Sequence, residues 1–505
     1  MIESPAGMLE STGRAPTSAV GMSESFCRRS QLRRQHGTAT IPPPVDWNIS
    51  GNALERAMFH HVRQCTISGF GNIALLAKLW SNYIIPLGYY ADSVRHALVS
   101  LGASHRSYIG DYPDEHQAAD LQAYDDMAAR QYAIATRHAA RDLQNLDSTT
   151  IRTSLVCCLV FVCCEIMQGR YDKAVFHLRS GCKMLASLGD AATWTQSQTA
   201  ASTTRQRCMA ETVSRYYEQL CDIADMFNCL AFDTAFLMEE DGLIPDLSFF
   251  LRASTEADPS RAFTTAAEAR YDAHRVERAF GLLLGFTFRG SFRPSISWSS
   301  FLDFPDEPPT SPAEDDYLEE WTVARLLFDE WSSRLDLYVR NVRANPSATR
   351  DELWEAQLLS FIQKDWTIFI KHCERTLEMP GHETFRELLD EAEAVVLSEI
   401  ADIAQKPSFT LAADVIPRMV FIAAYAGDPG LQRRAINLLF SMRRREGMWD
   451  SREIATILES ILIARECSLW DREFEKVSLP QLAGMLVSLK LCEGTRPLPL
   501  ATLIN

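Results

Sequence analysis

Residues 155–167, LVCCLVFVCCEIM, are the most apolar run in the chain. The run is apolar on most faces of a helix, which predicts a central core helix over residues 154–168. Gly169 follows at the position of a helix C′ residue, where glycine is favoured because it adopts the left-handed conformation. Residues 171–188 then carry a single apolar stripe, formed by Ala174, Val175, Leu178, Cys182 and Leu185. The two segments predict an αα-hairpin, the unit from which helical arrays are stacked.

The same run is a poor membrane span. A spanning helix needs about 20 apolar residues, and here the run is shorter and Glu165 interrupts it. The first 25 residues also lack the apolar centre of a secretory signal. We therefore expect no membrane association, and a location in the cytosol or the nucleus.

Helical periodicity continues on both sides of the hairpin. Apolar residues recur at intervals of three and four along further segments. These are residues 54–64, 73–84, 93–105, 121–143, 317–343, 350–378, 382–397, 413–426, 430–445 and 451–465. Polar or proline-rich breaks fall at residues 190–207, 251–261 and 292–316. We expect an all-α fold, a large helical array or bundle of αα-hairpins over residues 46–505, behind a disordered tail of residues 1–45.

Charge separates the tail from the body. The 505-residue chain has a net charge of −16, whereas residues 1–45 hold five arginines and three glutamates. An acidic body repels phosphate, so we expect it to contact DNA only indirectly or weakly. The tail's arginines include one compact cluster, made of Arg28, Arg29, Arg33 and Arg34. Two interpretations of this cluster stay open: a solvated tail, and a patch for nuclear import or phosphate contact.

The thirteen cysteines lie mostly in apolar helical runs. This distribution favours a reducing compartment over a disulfide framework. The central run contains Cys157, Cys158, Cys163 and Cys164. Adjacent helical residues point about 100° apart, so these thiols cannot converge on one tetrahedral ion. We expect buried, small apolar side chains here, and no bound metal or cofactor.

Histidines offer weaker metal candidates. His61 and Cys65 are four residues apart and could share an ion on one helix, but no third and fourth ligands are near in sequence. His96 and His105 are nine residues apart. We expect one partly buried histidine and one helix-end histidine, and not a pair.

The sequence contains no P-loop, Gly-x-Ser-x-Gly, His-Glu-x-x-His or Gly-x-Gly-x-x-Gly motif, and we expect no enzymatic activity. The acidic stretch at residues 303–320 has two interpretations, a solvated loop and an acidic-aromatic activation segment. The candidate residues of that segment are Trp298, Phe301, Asp303, Phe304, Asp306 and Glu307. The basic triplet at residues 443–445 closes a predicted helix, where it is expected to offset the negative end of the helix dipole.

Four stretches of sequence carry a resemblance to a known family. They are residues 94–105 (VRHALVSLGASH), 168–171 with 177–181 (QGRY, HLRSG), 292–296 (FRPSI), and 428–436 leading into 445–451 (DPGLQRRAI, REGMWDS). In this order they resemble the C-terminal regulatory region of fungal binuclear zinc-cluster transcription factors, over about residues 52–466.

The resemblance implies a helical regulatory domain, a nuclear location and control of transcription, often of a metabolic gene cluster such as one for a secondary metabolite. It also implies other transcription regulators or coregulators as partners, in a homodimer or a heterodimer. The chain departs from the family in its tail. Six cysteines hold two zinc ions in that family, whereas the tail has only Cys27. Either the cluster is lost, or an exon upstream of Met1 encodes it.

A second class of function stays open beside the regulator. The same fold would also suit a helical scaffold or a small-molecule-binding protein, including an enzyme, that no longer acts in transcription. A protein found only in the cytosol would favour this second class.

Overall fold

Nearly all of the regular structure in the computed structural model is α-helical, which confirms the expected all-α fold. The structure describes residues 49–70, 78–110, 118–144, 147–197, 203–235, 247–250, 260–283, 313–374, 381–400 and 407–466. The tail of residues 1–45 lies outside these ranges, so its predicted disorder and its boundary with the body stay predictions.

The first half of the body is a bundle around one central helix. α1 (Ala53–His61) continues through a π-helical turn, Val62–Thr66, and another such turn, Trp80–Ile84, leads into α2 (Ile85–Tyr90). The remaining helices are α3 (Asp92–Gly110), α4 (Ala118–Asp142), α5 (Ser148–Met167), α6 (Tyr171–Ser197) and α7 (Thr204–Ala235). α5 packs against α3, α4, α6 and α7, as its apolar sequence predicted.

The α5–α6 hairpin forms from local signals. Asp147 accepts hydrogen bonds from the backbone N–H groups of Thr149 and Thr150, both at 2.7 Å, and so caps the start of α5. Gly169 ends α5 with a φ of +68°. Its N–H bonds the carbonyl of Ile166, and the N–H of the next residue bonds that of Glu165, which is a Schellman motif. The predicted C′ position of Gly169 and the predicted hairpin are both confirmed.

The loop expected at residues 190–207 is largely wrong. α6 runs on to Ser197, and α7 begins at Thr204. Ala191 and Ala192 lie in the extended part of α6 and are only 5% and 7% exposed. Alanine has the highest helix propensity, and burial of these two side chains adds tertiary stabilisation that a polar composition does not reveal.

The second half contains seven more helices within the described ranges. They are α8 (Ala266–Leu283), α9 (Ala313–Ala344), α10 (Arg350–Glu374), α11 (His382–Ile400), α12 (Ile416–Tyr425), α13 (Pro429–Met442) and α14 (Ser451–Glu466). α9 begins inside the connector expected at residues 292–316.

A three-stranded sheet interrupts the helical pattern. β1 (Ser408–Thr410) pairs in parallel with β2 (Arg444–Glu446), and β2 pairs antiparallel with β3 (Trp449–Asp450). The helix predicted over residues 430–445 is therefore wrong at its end. α13 stops at Met442 because Arg443 adopts a left-handed conformation, with a φ of 45°.

Two hydrophobic cores lie side by side, and the sheet contributes to both. The first core is formed mainly by α1–α7, and the second by α8–α14. Phe409 of β1 and Met448 pack into the first core. Trp449, the next residue, is 1% exposed and packs into the second. The turn between β2 and β3 thus anchors the chain in both cores.

α5 is longer than the apolar run that predicted it. With 20 residues it meets the length and composition of a membrane span, so the expectation that it is too short is wrong. However, 83% of its apolar window is buried against other parts of the protein. Burial of this kind is typical of the core helix of a helical array.

Candidate functional site

Both sets of site residues predicted from the sequence lie outside the described residues. They are Arg28, Arg29, Arg33 and Arg34 in the tail, and Trp298, Phe301, Asp303, Phe304, Asp306 and Glu307 in the acidic stretch. Their roles stay predictions. Within the described ranges, the structure instead brings together residues 168–171 and 445–451, two of the stretches that carry the family resemblance.

The REGMWDS stretch folds into a tight connection between α13 and α14. Gly447 makes the turn with a φ of +52°. Asp450 Oδ1 accepts hydrogen bonds from the N–H groups of Arg452 and Glu453, both at 3.1 Å, and so caps α14. Ser451 Oγ accepts the N–H of Arg444 at 3.1 Å. Asp450 and Ser451 therefore each accept hydrogen bonds from nearby backbone N–H groups.

Glu446 has a buried carboxylate that caps the first turn of a neighbouring helix. Its side chain is fully buried. Oε2 accepts the N–H groups of Val415 and Ile416 at 2.9 and 2.8 Å, at the start of α12, which has no side-chain cap of its own. Oε1 lies 2.7 Å from Arg444 Nε. Burial raises the pKa of this carboxyl, against the opposing charge of Arg444.

Arg445 joins the two halves of the body. Its Nη1 donates to the carbonyls of Ile166 and Met167, at 3.2 and 2.7 Å, and so satisfies the C-terminal end of α5. Nη2 lies 3.0 Å from Asp450 Oδ2 and 3.2 Å from Glu453 Oε1. One buried guanidinium thus holds a helix of the first core and the start of α14 together.

Two tyrosines complete this arrangement from the first half. Tyr171 donates to Glu453 Oε2 at 3.2 Å, and Tyr108 donates to the carbonyl of Ser408 at 3.1 Å. Burial opposes the charge of Arg445, but the neighbouring oxygens of Tyr171, Asp450 and Glu453 raise its pKa. We call the group of Arg444, Arg445, Glu446, Asp450 and Glu453 the arginine hub.

The role expected for the basic triplet at residues 443–445 is wrong. Arg444 and Arg445 are 4% and 6% exposed and lie in β2, not at the end of a helix. Both arginines pair with carboxylates. The helix end that Arg445 contacts is that of α5, not that of the predicted helix. The sequence signal for a short hairpin was the position of Arg444 and Glu446, two residues apart, just before Gly447, a residue that favours turns. Strands of three residues are too short to show the two-residue periodicity by which strands are recognised.

A second network of ion pairs runs through the second core. Arg270 of α8 lies 2.9 Å from Glu355 of α10 and 2.6 Å from Asp414, which precedes α12. Burial opposes the ionisation of Asp414, but Arg270 lowers its pKa overall. Arg418 of α12 lies 3.0 Å from Asp365 of α10. These pairs fix three helices against one another, and sequence analysis missed them because the partners are far apart in the chain.

The stretch at residues 94–105 contributes a buried histidine pair. His61 Nε2 lies 3.0 Å from His105 Nδ1, which is also 3.0 Å from Thr66 Oγ1. Burial lowers the pKa of His61 to about 4, and burial together with His61 lowers that of His105 to about 3. Both rings are therefore neutral near pH 7. The helix-end position expected for His105 is wrong, because α3 continues to Gly110.

As the sequence analysis predicted, His96 and His105 do not form a pair. Its Nδ1 lies 2.5 Å from Gln131 Oε1, and its ring stacks on that of His138. Across the described ranges, no group of three or more histidine, cysteine, aspartate or glutamate side chains has a geometry that could hold a metal ion.

Two glycines of the resemblance stretches mark close helix contacts. A Cβ atom at Gly102 of α3 would overlap the backbone oxygen of Met58 in α1. A Cβ atom at Gly181 of α6 would overlap the ring of Phe227 in α7. Both stretches thus contain a position where only glycine allows the observed packing.

The central cysteines are buried, as predicted. Cys157, Cys163 and Cys164 are at most 1% exposed, and Cys158 is half-buried. Burial raises the pKa of each of these thiols, to about 12 for Cys158. They pack as small apolar side chains in the first core.

The arginine hub is built for positioning. Its carboxylates all lie against a guanidinium, a tyrosine hydroxyl or a backbone N–H group. Such groups act as fixed counter-ions and hydrogen-bond acceptors, since their charge is already balanced. The hub couples the α5–α6 hairpin to α12 and α14, and a displacement of either half would have to break it.

The comparisons with known sequences agree with this architecture. Residues 59–321, just over half of the 505-residue chain, match the sequence model described as the fungal specific transcription factor domain. The chain therefore belongs to the fungal-specific transcription factor domain family, which confirms the resemblance. The match covers the first half and part of the second, and the arginine hub lies beyond it.

A curated relative is similar over a shorter range. The aspercryptin biosynthesis cluster-specific transcription regulator atnN of Emericella nidulans is 23% identical over 183 residues, 35% of this chain and 28% of that protein. The aligned part is thus well under a third of the relative's length. No solved structure matches the chain. The family and this relative together support a role in transcriptional regulation.

Proposed function

We propose that the protein is a nuclear, non-enzymatic regulator of transcription for a fungal metabolic gene cluster, acting through partner proteins. The main support is the family match over residues 59–321. The similar protein in Emericella nidulans is described as a regulator specific to a biosynthesis cluster, which favours the cluster as the target. The arginine hub supports the same proposal, because its balanced charges suit a stable docking body.

The charge of the chain is the reason for proposing that it contacts DNA through partner proteins. The chain carries a net charge of −16, and the clustered basic residues of the tail are Arg28, Arg29, Arg33 and Arg34. Four phosphate contacts would give a salt slope of only about −3.6 on duplex DNA, with no base readout. A helical array offers exposed helix faces and grooves, which suit the binding of another protein's helix. Other transcription regulators or coregulators, including a second copy of this chain, are the proposed partners.

The test combines chromatin immunoprecipitation with a gel shift. The tagged full chain should be recovered on promoters of the genes whose transcripts change when its gene is deleted. The purified chain alone should bind the same promoters weakly and without sequence selectivity at physiological salt. Tight, selective binding by the purified chain would contradict the partner model. A protein found only in the cytosol, with no transcript change on deletion, would contradict the regulatory role itself.

The basic tail provides a matched variant for this test. Replacing Arg28, Arg29, Arg33 and Arg34 with alanine should reduce nuclear entry and promoter occupancy. It should leave the circular dichroism spectrum of the helical body unchanged. Unchanged nuclear entry would assign the cluster to a solvated tail.

A further inference from the structure

Arg152 of α5 differs from the buried arginines of the second half. Arg270, Arg334, Arg418, Arg444 and Arg445 each lie close to at least one carboxylate. Arg152 is half-buried, and it makes no hydrogen bond or ion pair with any part of the chain that the structure describes. A guanidinium always keeps its charge, so it normally has an acidic partner where water is excluded.

Two tyrosine rings flank the Arg152 guanidinium. Its central carbon lies 4.4 Å from the ring centre of Tyr216 and 5.6 Å from that of Tyr83. Cation–π contacts of this kind stabilise the charge, but they do not satisfy N–H donors. Arg152 Nε is shielded from solvent and has no acceptor among the residues that the structure describes. The Tyr83 hydroxyl is also shielded, and within the same ranges it has no hydrogen-bond partner.

Two of the three residues come from elements with irregular helical geometry. Tyr83 lies in the π-helical turn Trp80–Ile84, a type of turn that is frequent at functional sites. Tyr216 lies where α7 kinks, with backbone angles of φ −127° and ψ 21°. Arg152 lies near the start of α5, where Asp147 uses its carboxylate to cap the helix. The carboxylate of Asp147, five residues before Arg152 in the sequence, is thus already occupied.

We propose that Tyr83, Arg152 and Tyr216 form a binding site for a small organic monocarboxylate. The carboxylate would accept hydrogen bonds from the guanidinium of Arg152 and the hydroxyl of Tyr83. Carboxylates match the planar donors of arginine. Burial raises the pKa of Tyr83, which keeps its hydroxyl protonated and able to donate. One guanidinium balances one negative charge, which favours a monocarboxylate over a dianionic phosphate.

Binding at this site does not depend on the proposed role in transcription. If both hold, the acid is an effector of the regulator, and this last step rests on the proposed function. An acid bound between α5, α7 and the turn before α2 would tie together three elements of the first core.

Calorimetric titration of the purified full chain tests the proposal. Benzoate and hexanoate are the carboxylate probes, benzyl alcohol is the neutral control, and inorganic phosphate and phenyl phosphate are the phosphate probes. Saturable binding of at least one carboxylate is expected, with no binding of benzyl alcohol. Arg152→Gln should weaken carboxylate binding by at least about tenfold, since it removes the charge-assisted hydrogen bonds. Tyr83→Phe should weaken it about threefold or more, through the loss of one donor.

Arg130→Gln is the matched control, because Arg130 is exposed on α4 of the same half. It should leave the affinity unchanged. Arg152→Met gives a second readout in the absence of ligand. Since it removes an unpaired charge, it should leave the unfolding midpoint unchanged or raise it.

Three results would overturn the proposal. The first is that neither carboxylate binds at concentrations up to about 20 mM, a range that covers millimolar affinities. The second is that the phosphate probes bind while the carboxylates do not, which would reject the monocarboxylate class. The third is that Arg152→Met lowers the unfolding midpoint as strongly as the loss of Arg445, which would make Arg152 a structural residue.

Discussion

The two cores of the body differ in what fills them. The first core is packed with valine, leucine and cysteine around α5. The second contains buried arginines, such as Arg270 and Arg418, with carboxylates from neighbouring helices. Apolar side chains tolerate small shifts, whereas paired guanidinium and carboxylate groups require a defined geometry. The second core thus restricts the relative positions of its helices more strictly. The arginine hub holds α5 in a fixed position relative to these helices.

The largest expected effect is that of removing Arg445, and it tests whether the arginine hub fixes the position of α5 relative to the second core. Arg445→Ala leaves the half-buried carboxylates of Asp450 and Glu453 without a guanidinium partner, and it removes the donors to Ile166 and Met167. Loss of one partner from such a network costs about 3–5 kcal/mol in the free energy of unfolding. Urea denaturation followed by circular dichroism measures this loss.

An exposed arginine of α14 gives the control for that variant. Arg452 is exposed on α14, so Arg452→Ala should change the unfolding free energy by no more than about 0.5 kcal/mol. Equal effects of the two variants would show that burial and pairing of Arg445 are unimportant.

The next effect concerns close packing in the first core. Gly181→Ala places a methyl group against the Phe227 ring, so α6 and α7 must separate or the ring must move. Such overpacking costs about 1–3 kcal/mol. Gly381→Ala is the control, because a Cβ atom there would meet nothing within 4 Å. Thermal unfolding of both variants should show a lowered midpoint for Gly181→Ala alone. A full tolerance of Gly181→Ala would mean that the first core adapts more easily than its close contacts indicate.

A third effect appears with pH, and it belongs to the first core. His61 and His105 have folded-state pKa values of about 4 and about 3, below the ordinary 6.5. Below pH 6.5 the unfolded chain therefore binds protons that the folded chain does not, and stability falls as the pH falls. The loss should approach about 1.4 kcal/mol per pH unit for each histidine, until the folded pKa is reached.

Urea midpoints between pH 7 and 5 measure this loss. Arg106 adds positive charge near both rings. The hydroxyl of Thr66 lies 3.0 Å from His105 Nδ1 and forms a hydrogen bond with the neutral ring. His105→Gln should flatten the pH profile, because one of the two proton-binding groups is removed. A profile identical to that of the unmodified protein would show that other groups control stability in this range.

The smallest expected effect measures how well the first core tolerates the substitution of a buried side chain. Cys163→Val replaces a fully buried thiol with an apolar side chain of similar size. The expected change in unfolding free energy is below about 1.5 kcal/mol, as for other volume-conserving swaps. A loss as large as that of Arg445→Ala would mean that the first core is as strictly specified as the second.

How far the sequence predicted the structure depends on the range of the interactions. The α5–α6 hairpin was predictable because the apolar run and Gly169 act locally. The cap at Asp147 lies within three residues of the groups that it bonds. Local signals of this kind are present in any single sequence.

Long-range partners were not predictable in the same way. β1 and β2 have three residues each, and 33 residues lie between Thr410 and Arg444. The two carboxylates that hold Arg270 lie 85 and 144 residues further along the chain. The hub residues were recognised as a motif, but their partners in α5 and α6 could only be found in three dimensions. For Arg152, the absence of a carboxylate partner became visible only once its neighbours were known.

The contact between Arg445 and the end of α5 also has a consequence for how the chain is made. The carbonyls of Ile166 and Met167 receive their donor 279 and 278 residues later in the chain. At synthesis rates of about 5–20 residues per second, the α5–α6 hairpin waits about 15–55 s for that donor on the ribosome. Through this interval the nascent first half exposes apolar surface that Phe409 and Met448 later cover. The newly made chain is thus a client for chaperones until β1 and the arginine hub have emerged.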